Sequence, residues 1–268
     1  MPVSGSSLAV PRGIGQTLPV TDAPAVPDTG IGGRLDRVHR QITGAALRAG
    51  RDPASVRLIA VTKTVPAAEI CEAAAAGVTD IGENRVQEAR AKYAAIPFGV
   101  RWHLLGHLQA NKANLAATFF DSVQTLDSEP IGAALSRRRD PALPPLSLLA
   151  EVDFTGIPGR TGLPPEQAEA VVAAVAPLPG IRLEGLMTVA PYGAPAAARD
   201  CFRRLRELRD RLQERLGIAL PELSMGMTDD FEIAIAEGAT MVRIGRALFG
   251  ERPAGADAAT PSQRGSLL

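Results

Sequence analysis

The sequence predicts an α/β fold, a (β/α)8 TIM barrel with one extra helix in front and disordered termini. Short apolar runs typical of buried strands alternate with stretches of helical periodicity across residues 34–252. Strict alternation indicates parallel strands joined by right-handed crossovers, and eight such units in about 220 residues fit a closed barrel. An open doubly wound sheet stays the alternative, although no G-x-G-x-x-G follows the first strand.

Each element has a local signal. Leu35, Val38 and Ile42 form the apolar stripe of the helix in front, while runs such as RLIAVT have the length and composition of a buried strand. The predicted strands are 57–62, 78–82, 102–106, 121–125, 146–152, 182–187, 222–225 and 240–245. The predicted helices between them are 66–76, 85–96, 109–118, 128–139, 165–176, 196–216 and 229–237.

The two ends of the chain differ from its centre in composition. Residues 1–33 contain six Gly and five Pro with only three charges, which predicts a disordered leader. Residues 253–268 have a similar composition and predict a disordered tail. The stretch 34–252 between them contains no comparable linker, so we expect a single barrel domain.

Composition and charge exclude several classes of partner. Lys and Arg together number 29, as do Asp and Glu, so net charge gives no attraction to nucleic acid or to anionic membranes. The longest run without an acid or base, 185–198, has 14 residues, fewer than the roughly 20 of a membrane span. Two cysteines cannot form a disulfide scaffold and no secretory signal is evident, so the expected compartment is the cytoplasm.

Lysine is rare in this chain, since only Lys63, Lys92 and Lys112 occur beside 26 arginines. A lysine amine can condense with a carbonyl group, which an arginine cannot do. Lys63 directly follows the first strand, so we expect it at the barrel mouth, where the chemistry of such folds collects. The alternative is a lysine that reaches solvent at a strand end. Lys92 and Lys112 lie in predicted helices and are expected at the surface.

The segment LSMGMTDD, residues 223–230, ends strand seven and opens a helix. Ser224 and an N-capping Thr228 would present hydroxyl groups there, beside free backbone N–H groups that suit a phosphate. Asp229 and Asp230 already use the positive end of that helix, so an ordinary capped helix is the alternative.

Other strand ends carry further polar residues. Arg243 lies within an apolar strand and therefore needs an acceptor, either a ligand or a rim carboxylate. His103 and His107 straddle a strand end without a nearby Cys pair, so no metal site is expected. The remaining candidates at strand ends are Glu83, Asn84, Asp127, Asp153 and Met187.

Six motifs lie at or near the predicted strand ends, namely AVTKT (60–64), GENRVQEA (82–89), WHLLGHLQANK (102–112), GLM (185–187), LSMGMTDD (223–230) and VRIGRALFG (242–250). Together these motifs resemble the signature set of the pyridoxal phosphate homeostasis proteins. The resemblance runs from about Leu58 to Arg252. It implies a fold-type III barrel that binds pyridoxal 5′-phosphate (PLP), similar to the barrel domains of alanine racemase and ornithine decarboxylase.

The resemblance also implies roles by position. Lys63 would form the internal aldimine with PLP, Asn84 would lie beside the cofactor, and Arg243 would face the pyridine nitrogen. The implied phosphate cradle consists of Ser224, Thr228 and Gly245. The chain departs from the family at Asp153, where Asn is frequent, and at Arg160, where Lys is frequent. These departures can alter the rim or a partner surface.

A non-catalytic function is expected. Arginine is always cationic and only donates, so Arg243 would leave the pyridine nitrogen unprotonated and the ring a poor electron sink. Racemases of the related fold do work with such an arginine. However, they also need a second acid–base residue from an additional domain, and this chain ends 16 residues after Arg252. We expect a PLP-binding protein, monomeric or weakly dimeric, that buffers or delivers the cofactor, with PLP-dependent apo-enzymes as candidate recipients.

Two other functions stay open from the sequence. One is a PLP-dependent racemase or decarboxylase that borrows its second residue from a partner subunit. The other is an aldolase that forms a Schiff base through Lys63 without PLP.

Overall fold

The structure is a computed structural model that describes residues 30–96 and 99–251. Its first helix begins at Ile31, so residues 31–33, which the sequence assigned to the leader, are helical. Residues 1–29 of the predicted leader and the predicted tail 253–268 lie outside the described residues.

Eight parallel strands within these ranges close into a barrel in the order of the sequence, which confirms the predicted (β/α)8 architecture and rejects the open sheet. The strands are β1 Arg57–Val61, β2 Asp80–Glu83, β3 Arg101–Leu104, β4 Ser122–Leu126, β5 Leu146–Glu151, β6 Ile181–Met187, β7 Glu222–Ser224 and β8 Met241–Ile244.

The helices surround this barrel, and α1 precedes it as predicted. They are α1 Ile31–Arg48, α2 Ala67–Ala75, α3 Val86–Tyr93, α4 Ala113–Phe119, α5 Glu129–Arg138, α6 Ala168–Val175, α7 Pro195–Leu216, α8 Phe231–Ala236 and α9 Arg246–Phe249. The sequence pattern did not predict the four-residue α9.

The register of the strands decides which side chains meet inside the barrel. Ile59 lies opposite Arg243 where β1 pairs with β8, and Val61 lies opposite Gly82 of β2. Because side chains alternate along a strand, these positions share the inner face. The Thr62 N–H still donates to the Gly82 carbonyl at 2.9 Å. The alternation therefore continues past β1 and directs the next residue toward the mouth.

The apolar core lies largely between the barrel wall and the helices. Helix α1 buries its predicted stripe of Leu35, Val38 and Ile42 while packing against α8 and α9. The Arg34 guanidinium donates to the carbonyl of Leu248 in α9. Helix α1 therefore supports from outside the two short helices that follow β7 and β8.

Gly185 marks the closest approach of β6 to β7. A Cβ atom there would lie 1.9 Å from the backbone carbonyl oxygen of Glu222, so the strands would have to separate. We expect Gly185→Ala to lower the free energy of unfolding by about 3 kcal/mol, as overpacking does, when measured by chemical denaturation. Gly32→Ala in α1 is the control, because its Cβ would lie 4.0 Å from that of Ala76. Similar losses in both variants would contradict the close strand approach.

Candidate functional site

Four neighbouring strands bring the predicted site residues to one side of the barrel mouth. In the closed sheet β7 pairs with β8, β8 with β1, and β1 with β2. The carboxyl ends of these strands carry or lead into Ser224, Thr228, Arg243, Gly245, Lys63 and Asn84. These strand ends are neighbours in the closed barrel, as predicted, and the roles of the six residues toward a ligand stay predictions.

Arg243 lies inside the barrel with 4% of its surface exposed. Its Nη1 donates to Ser224 Oγ at 2.7 Å, and its Nη2 donates to the Thr188 carbonyl oxygen at 2.8 Å. Burial lowers the pKa of Arg243 to about 10, while the charges of Asp230 and Glu151 oppose that shift. The guanidinium is therefore charged at neutral pH, and two of its five N–H donors are used by these two bonds.

Ser224 is fully buried, and its hydroxyl group is engaged inside the barrel. It donates to Gln124 Oε1 at 2.6 Å and accepts from Arg243. A phosphate contact of Ser224 would require its hydroxyl to turn away from Gln124, and that contact stays a prediction. The sequence analysis missed Gln124, although a polar residue in the middle of a buried strand was an available signal.

The turn before α8 differs from the prediction. The helix begins at Phe231 and Asp230 precedes it, so Thr228 is not its N-cap. The Met227 N–H donates to Asp230 Oδ1 at 2.6 Å, so this amide is already engaged. Thr228 itself is half-buried. Its role toward a phosphate stays a prediction.

The turn into α9 lies beside the turn before α8. Gly245 is buried and precedes α9. Arg246, the first residue of α9, forms an ion pair with Asp229. A phosphate at this point of the mouth would meet one guanidinium that already has a carboxylate partner.

Lys63 is half-buried, and side chains of α3 bond the backbone of the residue before it and of the residue after it. Lys92 Nζ donates to the Thr62 carbonyl oxygen at 2.9 Å, and the Thr64 N–H donates to Glu88 Oε1 at 2.5 Å. Thr64 has a φ of 62°, a left-handed conformation that is unfavourable for a β-branched residue. The strained turn that carries Lys63 is therefore stabilised by side chains of α3.

Lys92 and Glu83 correct two expectations from the sequence. The Lys92 side chain is only 12% exposed, and its Nζ lies 2.9 Å from Glu83 Oε1, so it is not a surface residue. Glu83 is fully buried and points toward α3, away from the mouth. Burial raises the pKa of Glu83, although its hydrogen bonds to Lys92 and Thr62 oppose the rise. The four-residue spacing of Glu88 and Lys92 was the available signal.

A second group of titratable side chains occupies the other side of the mouth. His107 Nδ1 lies 2.9 Å from Asp127 Oδ2. Glu151, at the end of β5, accepts from Thr161 Oγ1 at 3.0 Å through Oε1. Its Oε2 is buried without a hydrogen-bond partner among the described residues. Since β5 lies four strands from β1, Glu151 faces Lys63 across the barrel, while Asp127 and His107 follow β4 and β3.

The two departures from the family pattern lie in the loop after β5. Asp153 accepts from the N–H groups of Thr155 at 3.0 Å and Gly156 at 3.2 Å, so it shapes its own turn. Arg160 has a buried Nη1 without a hydrogen-bond partner among residues 30–96 and 99–251.

Among the residues that the structure describes, no group of three or more His, Cys, Asp or Glu side chains is placed to hold a metal ion. No helix in that part of the chain is long and apolar enough to cross a membrane.

Comparison with known proteins identifies the family. The family model described as the N-terminal domain of alanine racemase matches residues 34–253. A pyridoxal phosphate homeostasis protein of Pseudomonas aeruginosa is 46% identical over 230 residues, which cover 85% of this chain and 98% of that protein. The chain belongs to the pyridoxal phosphate homeostasis protein family. The resemblance carried by the sequence motifs is thereby confirmed.

Solved structures agree with this assignment. PipY of Synechococcus elongatus, described with PLP bound, shares 39% identity and a TM-score of 0.72, covering 82% of this chain and 100% of PipY. Alanine racemase of Corynebacterium glutamicum shares 18% identity and a TM-score of 0.60, covering 82% of this chain and 62% of the racemase. At this identity, the comparison with the racemase shows only that the two proteins share a fold.

Lys92 and Glu88 of α3 form a clamp on the turn that carries Lys63, and this clamp gives a testable prediction. Lys92→Met removes the cation that lies between the carboxylates of Glu83 and Glu88, and the Glu83 carboxylate is fully buried. We expect the free energy of unfolding to fall by about 3 kcal/mol, because breaking a buried pair strands its partner. Lys112→Met, in the short turn before α4, is the matched control, with an expected change below about 0.5 kcal/mol. Urea denaturation of both variants measures the difference, and equal losses would contradict the clamp.

Proposed function

We propose that this protein binds PLP at the barrel mouth and buffers or delivers it in intracellular PLP homeostasis, without catalytic turnover of its own. The observation that carries the proposal is the placement of a lysine and a buried, charged arginine at the ends of adjacent strands β1 and β8. The proposal is supported by PipY, a relative of the same fold that is described with PLP bound.

The donor set at the mouth fits three of the functional groups of PLP, namely its aldehyde, pyridine nitrogen and phosphate. The Lys63 amine would hold the aldehyde by condensing with it, with the release of one water molecule. Arg243 supplies N–H donors to the pyridine nitrogen, and Asn84 lies beside the ring. Thr228 and the backbone at Gly245 contact the phosphate. Ser224 contributes indirectly by holding Arg243.

Bound PLP supplies an electron sink, and its strength depends on the proton at the pyridine nitrogen. Arg243 has a pKa of about 10, so at neutral pH it is a cationic donor and cannot accept that proton. A carboxylate at this position would favour protonation of the ring nitrogen. The chain places neutral acceptors around the guanidinium, Ser224 and the Thr188 carbonyl. This arrangement favours storage of the cofactor over carbanion chemistry.

A racemase or decarboxylase is the second candidate, and one observation favours it. The paired His107 and Asp127, with Glu151 nearby, provide titratable groups across the mouth from Lys63. A second acid–base residue on that side is what a two-base mechanism needs. The non-catalytic proposal therefore has to be tested directly.

We further propose PLP-dependent apo-enzymes as recipients and a monomer or weak homodimer as the working state. The cytoplasm is the proposed compartment. Both Cys71 and Cys201 are free thiols in the structure, as is usual for proteins of a reducing environment.

Attachment of PLP to Lys63 is tested by visible absorbance. The purified protein should show the yellow absorbance of a Schiff base after incubation with PLP, and borohydride reduction should fix the cofactor on the peptide that contains Lys63. Lys63→Ala and Lys63→Arg should both lose the absorbance, because a guanidinium stays protonated and cannot condense. Lys112→Ala is the control and should keep it. An unchanged spectrum in the Lys63 variants would reject Lys63 as the attachment site. Failure of the unmodified protein to bind PLP would favour an aldolase that forms a Schiff base through Lys63 without PLP.

Absence of turnover is tested by proton NMR in D2O. With a panel of amino acids, the loaded protein should exchange the α-proton no faster than free PLP does. Exchange orders of magnitude faster would overturn the non-catalytic proposal. If it occurred and His107→Asn abolished it, the racemase candidate would be supported with His107 as the second base.

A further inference from the structure

Five buried polar side chains form one continuous hydrogen-bonded row across the barrel interior. From Arg243 the row runs through Ser224, Gln124 and His103 to Asp80, each at most 4% exposed. The successive distances are 2.7, 2.6, 3.2 and 2.8 Å. The row starts at the carboxyl end of β8 and finishes at the first residue of β2, so it spans the barrel from the mouth toward its closed end.

The chemistry of the two ends gives the row a single direction. A guanidinium can only donate, so Ser224 Oγ accepts from Arg243 and sends its own proton to Gln124 Oε1. The amide nitrogen of Gln124 then faces His103 Nδ1 and, at 3.5 Å, the Met241 sulfur. Since an amide nitrogen only donates, Nδ1 of His103 carries no proton.

The imidazole proton must therefore lie on Nε2, where it points to Asp80 Oδ1. Every donor in the row is directed from the cation toward the carboxylate. Asp80 is kept ionised from its other side, because Arg101 Nη2 lies 2.8 Å from Oδ1 and Thr79 Oγ1 donates to Oδ2 at 2.8 Å. A flipped amide would turn its N–H donors toward Ser224 Oγ, which already accepts from Arg243, so the hydroxyl proton would lose Gln124 as its acceptor. It would also set Oε1 against the Met241 sulfur, an acceptor against an acceptor.

We propose that Gln124 is a positioning residue for Arg243. Its amide, fixed by His103 and Met241, accepts the Ser224 hydroxyl proton, so the lone pairs of Oγ stay directed to the guanidinium. The same amide links Arg243 to the distant Asp80. Gln124 does not contact the cofactor in this assignment. The inference rests on the proposed function in one respect, namely that Arg243 faces PLP.

The direction of the row is testable in the PLP-free protein. The chain has three histidines, of which His39 is exposed on α1 and His107 lies at the mouth, so 15N spectra of histidine side chains can be assigned with His39→Gln and His107→Gln. At pH 7.5 the His103 resonances should be pyrrole-like at Nε2 and pyridine-like at Nδ1. A proton on Nδ1, in either the other tautomer or the imidazolium, would overturn the inference. This measurement needs no core variant and no cofactor.

The action of Gln124 through Ser224 is tested by a double-mutant cycle on the PLP dissociation constant. Ser224→Ala should weaken PLP binding roughly tenfold, as expected from losing the hydrogen bond to the charged Arg243. Gln124→Met should weaken it by a similar factor, because the Ser224 hydroxyl then loses the acceptor that orients it toward Arg243. The double variant should lie within about twofold of Ser224→Ala alone, because the second change then has nothing left to remove. Losses that multiply to about a hundredfold would mean that Gln124 has only a packing role, and would overturn the proposal.

Ser122→Ala is the matched control for this cycle. Ser122 is buried on the same strand as Gln124, and its Oγ has no hydrogen-bond partner among the described residues, so it lies outside the row. It should change neither the His103 resonances nor PLP affinity. If the unmodified protein fails to bind PLP, the proposed function fails while the spectra of His103 still decide the direction of the row.

Discussion

The pairing of β1 with β8 is the interaction on which the whole mouth depends. It closes the sheet and sets Ile59 opposite Arg243, so the strand end that carries Lys63 lies beside the one that carries the guanidinium. Each strand alone would present its polar residues on an unpaired edge. Closure removes those edges and encloses the alternate side chains, which makes a polar interior possible without exposing backbone groups. Chemistry at the mouth is therefore a property of the closed barrel.

Closure also creates an energetic problem, because it buries charge. An isolated guanidinium or carboxylate away from water is strongly unfavourable, and hydrogen bonds have to offset that loss. Inside the barrel, Arg243 and Asp80 lie at opposite ends of one row of neutral donors and acceptors. Outside it, Lys92 of α3 lies between the carboxylates of Glu83 and Glu88. Both networks therefore offset the cost of burying a charge.

The sequence predicted the barrel and its strand ends well, since apolar period and spacing are local signals. It also predicted the grouping of Lys63, Arg243 and Gly245, because parallel strands share one carboxyl edge. Side-chain direction was harder. Glu83 follows the inward-facing Gly82 and therefore points outward, a consequence of alternation that the strand-end criterion ignored. The role of Ser224 depends on Gln124, 100 positions earlier, and no local pattern reveals that contact. Thr228 has a side chain that can cap a helix, but the turn continues for two more residues and Asp230 precedes the helix instead.

Barrel closure through the first and last strands has a consequence for biosynthesis. Lys63 and Arg243 stand about 180 positions apart, and α1 packs on α9, which follows β8. During translation, β1 has no partner on its β8 side until the residues of β8 have left the ribosome. Contacts of such long range form slowly, and an open strand edge is a site for association with other chains. The closed mouth therefore forms only after β8 has emerged, and a nascent chain truncated before β8 lacks it.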